Sequence, residues 1–106
     1  METIKSSKEI DLIFKNGEKE NLPFLTCVFY KDNDNRIQGN VAFLAGKKNG
    51  NAVWRNKSKR RLREIYKILE IKNEYKTLLI ANKKTLEEDF NKIINESKNK
   101  LSKYIK

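Results

Sequence analysis

Residues 40–69 read NVAFLAGKKNGNAVWRNKSKRRLREIYKIL, and their order of apolar run, broken turn and charged helix decides what the rest of the chain must supply. NVAFLA (40–45) is an apolar run of strand length. GKKNGN (46–51) interrupts it with two glycines and two lysines. From about Ala52 to Leu69 the period becomes helical, with Leu62, Ile65, Tyr66 and Leu69 on one face. Advancing about 100° per residue from Arg55 places Asn56, Lys59, Arg60, Arg63 and Lys67 within an arc of roughly 140°. Trp54, Ser58, Leu62, Ile65 and Leu69 fall in a separate arc, while Lys57 and Arg61 lie outside the main cationic stripe and are expected to be peripheral. One face of this helix is therefore cationic, and the other needs a sheet to cover.

The flanking segments supply that sheet. Ser6 with Glu9 forms a capping box, Ile10, Ile13 and Phe14 follow at helical spacing, and Gly17 supplies the stop. FLTCVFY (24–30) reads as a strand with Pro23 at its start, DNDN (32–35) as a turn, and the strand at 40–45 then closes an expected hairpin. YKTLLIA (75–81) is a further strand. Thr85 with Glu88 forms a second capping box, opening a terminal helix of about 20 residues, about 30 Å long, with Leu86, Phe90, Ile93, Ile94, Leu101 and Tyr104 on one face. The order helix, strand, strand, with room for one more strand, then helix, strand, helix predicts a small α+β domain over residues 1–106. Its sheet is built round a split β-α-β unit with helices packed on it.

The 106 residues fit one domain. With no His, the chain excludes imidazole general bases and His-ligated metals, and a lone Cys27 excludes an intrachain disulfide or a multi-thiolate zinc site. The absence of an apolar span or a signal-type amino terminus leads us to expect a cytoplasmic protein with no membrane partner. Net charge is +10, and its distribution is uneven: residues 47–63 hold eight Lys and Arg and no acid, whereas the remaining sixteen bases face fourteen acids. Lys47 and Lys48 open that segment. Four of the five arginines, Arg55, Arg60, Arg61 and Arg63, fall within nine residues of a chain that otherwise uses lysine. Guanidinium offers a rigid fork to phosphate oxygens, so the cluster points to shaped recognition of a polyanion, with Arg55 to Arg63 spanning about 12 Å. Gly46 and Gly50 would let backbone N–H groups approach phosphate there. Trp54 falls on the apolar arc and reads as a core anchor, and Cys27 as a small buried hydrophobe.

GNAVWRNKSKRRLRE (50–64) resembles the signature of the protein subunit of bacterial ribonuclease P. That pattern is a Lys-rich approach, Gly-Asn-Ala-Val, Arg-Asn, two variable residues, Lys-Arg and a further Arg; Arg55, Asn56, Lys59, Arg60 and Arg63 match it in order. The likeness extends to Ile13, Phe14 and Gly17 at the end of the first helix and to the element order of nearly the whole chain. Asn49, Gly46 and Ile10 depart from residues frequent in the family.

The resemblance implies a fold like that of a ribosomal protein's second domain, with a left-handed β-α-β crossover. It also implies a role as the protein cofactor of a catalytic RNA that removes the 5′ leader of precursor tRNA. The partners implied are that RNA and precursor tRNA, with no protein partner. Magnesium would be held mainly by RNA phosphates and none by the protein alone. Lys47, Lys48, Arg55, Asn56, Lys59, Arg60, Arg63 and Lys67 would contact RNA. A cleft between the sheet and the first helix would hold the leader, and Phe14, Lys15, Phe24, Phe29 and Tyr30 are candidates to line it. Strand alternation puts Phe24, Val28 and Tyr30 on one side and Leu25, Cys27 and Phe29 on the other, so only one set can face the cleft. The acids fall at turns (Asp32, Asp34) or in a helix's first turn (Glu87, Glu88, Asp89), which argues against a protein nuclease centre and for chemistry in the RNA. The alternative is a ribosomal or other structured-RNA binding protein with no part in cleavage. A membrane-surface helix would need the apolar arc that the sheet requires.

Overall fold

The computed structural model describes residues 2–106. Its elements run α1 (Ser7–Asn16), β1 (Glu18–Leu22), β2 (Leu25–Lys31), β3 (Val41–Leu44), α2 (Ala52–Leu69), β4 (Tyr75–Ala81) and α3 (Phe90–Lys100), with 3-10 turns at Lys47–Asn49 and Ser102–Tyr104. The α+β class and the order of elements agree with the sequence reading.

Strand pairing differs from it. The sheet order is β1-β2-β4-β3, with β1–β2 and β2–β4 antiparallel and β3–β4 parallel. The hairpin therefore joins β1 to β2, and the expected pairing of residues 24–30 with 40–45 does not form. The cause is burial. β2 and β4 carry apolar residues on both faces and must occupy the middle, whereas β3 has only four residues and serves as an edge. Pro23 and Phe24 form the tight turn between β1 and β2, so Pro23 belongs to a turn and not to the start of a strand. β1 itself, EKENL, has no apolar alternation because it is a charged edge strand with only Leu22 buried. β3 and β4 lie side by side with no strand inserted between them, joined through α2 in a β-α-β unit. The outer side of β3 is taken by the chain's first residues: the Ile4 N–H donates to Val41 O (2.7 Å) and the Asn40 N–H to Glu2 O (2.8 Å).

Alternation along the strands gives each sheet face its own core. Leu25, Cys27, Phe29, Phe43 and Leu79 pack with α2, α3 and the Ser102–Tyr104 turn, while Val28, Ala42 and Leu78 pack with Ile13 of α1 and with Ile4 and Ile37. The molecule is thus α1, sheet, and an α2–α3 layer. Ser6 caps α1 by accepting from the Glu9 N–H (3.5 Å), and the Gly17 N–H closes the helix on Ile13 O (2.7 Å). A Cβ at Gly17 would stand 2.7 Å from Val28 Cγ1 and 2.9 Å from Phe29 O, so glycine is what lets α1 turn directly onto β2.

The terminal helix is shorter than its apolar spacing suggests. Asp89, not Thr85, is its N-cap, accepting from the Lys92 N–H at 3.1 Å. Thr85 instead ties a loop to the β1–β2 turn: its buried hydroxyl donates to Phe24 O (2.6 Å) and accepts from the Asn82 N–H (2.9 Å). The Ser102–Tyr104 turn then places the Tyr104 ring flat on Phe29, with centroids 3.8 Å apart. The Tyr104 hydroxyl donates to Glu18 (2.8 Å) and lies 3.1 Å from a Glu20 oxygen, and Lys103 Nζ is 3.1 Å from Glu18. The Tyr104 hydroxyl, then the Lys103 ammonium, hold the Glu18 carboxyl below its ordinary value of 4.5. A carboxylate depressed in this way stabilises the fold above that ordinary value and loses the contribution as pH falls through the folded pKa. Tyr104→Phe should therefore flatten the acid side of the stability curve in urea unfolding; an acid limb as steep as the parent's would show that this cluster does not contribute.

Candidate nucleic-acid interface

α2 begins where the strand-to-helix turn can be capped. The Asn51 side chain accepts from the Trp54 N–H at 2.9 Å. Trp54 folds back over Gly50, where a Cβ would stand 2.7 Å from the indole, and is half-buried against the core. Gly50 thus makes room for a ring, whereas the Cβ position of Gly46 is open. Ser58, Leu62, Ile65 and Leu69 are buried on the sheet side, as the helical period demands. Asn56, Lys59, Arg60, Arg63 and Lys67 are exposed, as are Lys47 and Lys48 in the preceding turn; Arg55 is half-buried, and its Nη1 donates to Gly50 O at 3.3 Å.

The cationic face is largely free of acids. Among the described residues, Lys47, Lys48, Arg55, Lys59, Arg60 and Arg63 have no carboxylate within 4.0 Å. Lys67 lies 3.8 Å from Glu64, an exposed pairing of small energetic weight. Arg61 behaves differently from its neighbours. Its Nη1 donates to the carbonyls of Thr85 (3.3 Å) and Leu86 (3.0 Å), and its guanidinium lies 5.3 Å from the centre of the Phe90 ring. Outside the stripe, as its angular position indicates, Arg61 braces the loop between β4 and α3. Arg61→Ala should cost about 2 kcal/mol, since hydrogen bonding to a charged group contributes about 1.5–3 kcal/mol net of exchange with water and this side chain is only half-buried. Urea unfolding measures that cost, and the salt slope of RNA binding should stay at the parent value. An unperturbed unfolding curve with a reduced slope would move Arg61 to the RNA side.

The sheet face on the α1 side is only partly covered. Register places Lys19, Val28, Leu78 and Ala42 in one row across the four strands, and Asn21, Thr26, Ile80 and Leu44 in the next. Val28, Leu78 and Ala42 are buried, whereas Thr26, Ile80 and Leu44 are half-exposed and form a shallow floor. Phe14 of α1 is 43% exposed, with Lys19 Nζ 4.0 Å from its ring centre, and Lys15 beside it is exposed. Because β3 and β4 are parallel, the turns that follow them, carrying Lys47 and Lys48 in one and Lys83 and Lys84 in the other, stand at the same end of the sheet as this floor.

Two of the aromatic candidates need correction and one needs relocation. Phe24 is 1% exposed and packs in the α2–α3 core, because it sits in the turn and escapes the alternation that would have turned it toward α1. Phe29 is buried on that same side under Tyr104. Tyr30 does face the α1 side but lies beyond the Val28 row from the floor, half-buried, with its hydroxyl accepting from Arg36 Nη2 at 3.2 Å. Lys19, Thr26, Leu44 and Ile80 were missing from the sequence reading. Only recognition of β1 as a strand could have brought Lys19 into it.

Among the described residues, no three His, Cys, Asp or Glu side chains converge as a metal centre would require, and no helix is long and apolar enough to cross a membrane. α2 thus presents an arginine-rich face from one layer, and the opposite side of the sheet keeps a half-open floor beside α1.

Comparison with known proteins agrees. The family model for ribonuclease P matches residues 1–105. The chain belongs to the ribonuclease P protein family. A ribonuclease P protein component from a Thermoanaerobacter species is 30% identical over 102 residues, covering 94% of this chain and 86% of the relative. Another, from a Nitratiruptor species, is 35% identical over 66 residues, a match that covers 62% of this chain and spans only 57% of that relative's length. The solved RNase P protein from Thermotoga maritima superposes with a TM-score of 0.75 at 25% identity, covering all of both chains. The α+β fold is the one that these relatives share.

Proposed function

We propose that the chain is the RNA-binding subunit of a ribonucleoprotein endoribonuclease that removes the 5′ leader from precursor tRNA in the cytoplasm. In this reading Arg55, Asn56, Lys59, Arg60, Arg63 and Lys67, with Lys47 and Lys48, dock on phosphates of the catalytic RNA. The single-stranded leader lies over the Thr26–Ile80–Leu44 floor beside Phe14, Lys15 and Lys19. Single strands are held by a cationic groove and aromatic platforms, each stacked base contributing about 1–3 kcal/mol, and Phe14 is the exposed aromatic of that face. Bond cleavage belongs to the RNA and to magnesium held by its phosphates, and the protein supplies positive charge and position. The observation that carries this reading is the cationic face of α2, which pairs with an acid only at Lys67 among the described residues.

Reconstitution with the catalytic RNA of the same organism tests it. Added protein should restore 5′-end maturation of precursor tRNA at low magnesium. RNA binding without any gain in maturation would leave a structured-RNA binder with no role in cleavage, and maturation by the polypeptide alone would overturn the assignment of chemistry to RNA.

A further inference from the structure

Among the described residues Arg63 has neither a carboxylate partner nor a hydrogen bond from its guanidinium, yet the group is not left free. Its central carbon lies 5.3 Å from the centre of the Phe43 ring, over the ring face. Phe43 comes from β3 and is 8% exposed, and Tyr66, one turn further along α2, packs against it nearly edge-on at 6.0 Å and 77°. Strand and helix together therefore fix a ring, and Arg63 rests on it.

The other arginines of the segment differ. Arg61 has its donors committed to two carbonyls, Arg55 bonds Gly50 O, and among the described residues no ring lies beneath Arg60. The ring holds the guanidinium in place without taking any of its N–H groups into a hydrogen bond among the described residues, so the edge that meets a phosphate in bidentate fashion stays uncommitted. A side chain so held loses less conformational freedom on binding. We propose that Phe43 is a positioning residue that presets Arg63 for a phosphate of the RNA partner. The proposal rests on the reading of α2 as the docking face.

Phe43→Leu keeps an apolar side chain of similar reach in β3 and removes the ring face, whereas Phe43→Tyr keeps the face. Affinity for the catalytic RNA is measured over a salt series, with thermal melts to confirm that each full-length variant is folded. Phe43→Leu should weaken binding about two- to fivefold, the range of an exposed cation–π contact. Its salt slope should match the parent's, because no cation has been removed. Arg63→Ala should weaken binding and lower the slope by about one. Adding Phe43→Leu to Arg63→Ala should produce no further loss, and Phe43→Tyr should bind as the parent does. Unchanged affinity in Phe43→Leu, or a loss that persists in the Arg63→Ala background as general loosening of β3 would give, overturns the positioning role alone. Unchanged affinity and slope in Arg63→Ala overturns both it and the docking face.

Discussion

Replacing Arg55, Arg60 and Arg63 together by alanine should lower affinity for the catalytic RNA on the order of a hundredfold at low salt while leaving the fold intact. Each cation that neutralises a phosphate contributes about 0.9 to the slope of log affinity against log salt, so the slope should fall by two to three, approximately. The expectation of an intact fold comes from the structure: Arg60 and Arg63 are exposed and Arg55 is half-buried, and none pairs with an acid whose charge would be left uncompensated. Thermal melts of the triple variant should overlay the parent within a few degrees. A slope that does not move would mean that charge elsewhere, such as Lys83 and Lys84 or the lysines of α3, carries the interaction.

The second large effect is on stability. Phe24→Ala should cost about 3–5 kcal/mol, the usual range for deleting a fully buried aromatic ring. A domain of this size has roughly 5–15 kcal/mol in all, so the variant would keep only part of its margin. The ring is 1% exposed in the core between the sheet and the α2–α3 layer. Once measurements are made well below the melting point, the variant should bind precursor tRNA carrying its leader as the parent does. A loss confined to leader-bearing tRNA, with binding of leaderless tRNA unchanged, in a fully folded sample would return Phe24 to the cleft.

What was legible in the sequence follows the strength of local signals. α2 was readable over about Ala52 to Leu69, because an apolar arc and a cationic arc mark the same period, whereas its Asn51 cap is seen only in the structure. β2 and β4 were readable from their apolar runs. Pairing was not, because an apolar run says that a strand is buried and nothing about which neighbour buries it. β1 escaped notice since an edge strand of alternating Glu and Lys has the composition of a loop. Thr85 and Glu88 have the spacing of a capping box, yet the Thr85 hydroxyl is taken by Phe24 O, 61 residues away in sequence. A tertiary hydrogen bond overrode a local motif there. The interface shows the same division. The exposed cations of α2 follow from periodicity, whereas the bracing of Arg61 and the seat of Arg63 on Phe43 depend on which elements meet.

The central position of β4 bears on how the molecule is made. Residues 75–81 are the shared neighbour of β2 and β3, and they follow both strands in the chain. Until they leave the ribosome, β1 and β2 form an isolated hairpin, which is at best marginally stable in water, and the arginine segment has no sheet to bury its apolar side. A nascent chain at that stage is an unfolded polycation beside ribosomal RNA, so folding of the sheet waits on the emergence of β4.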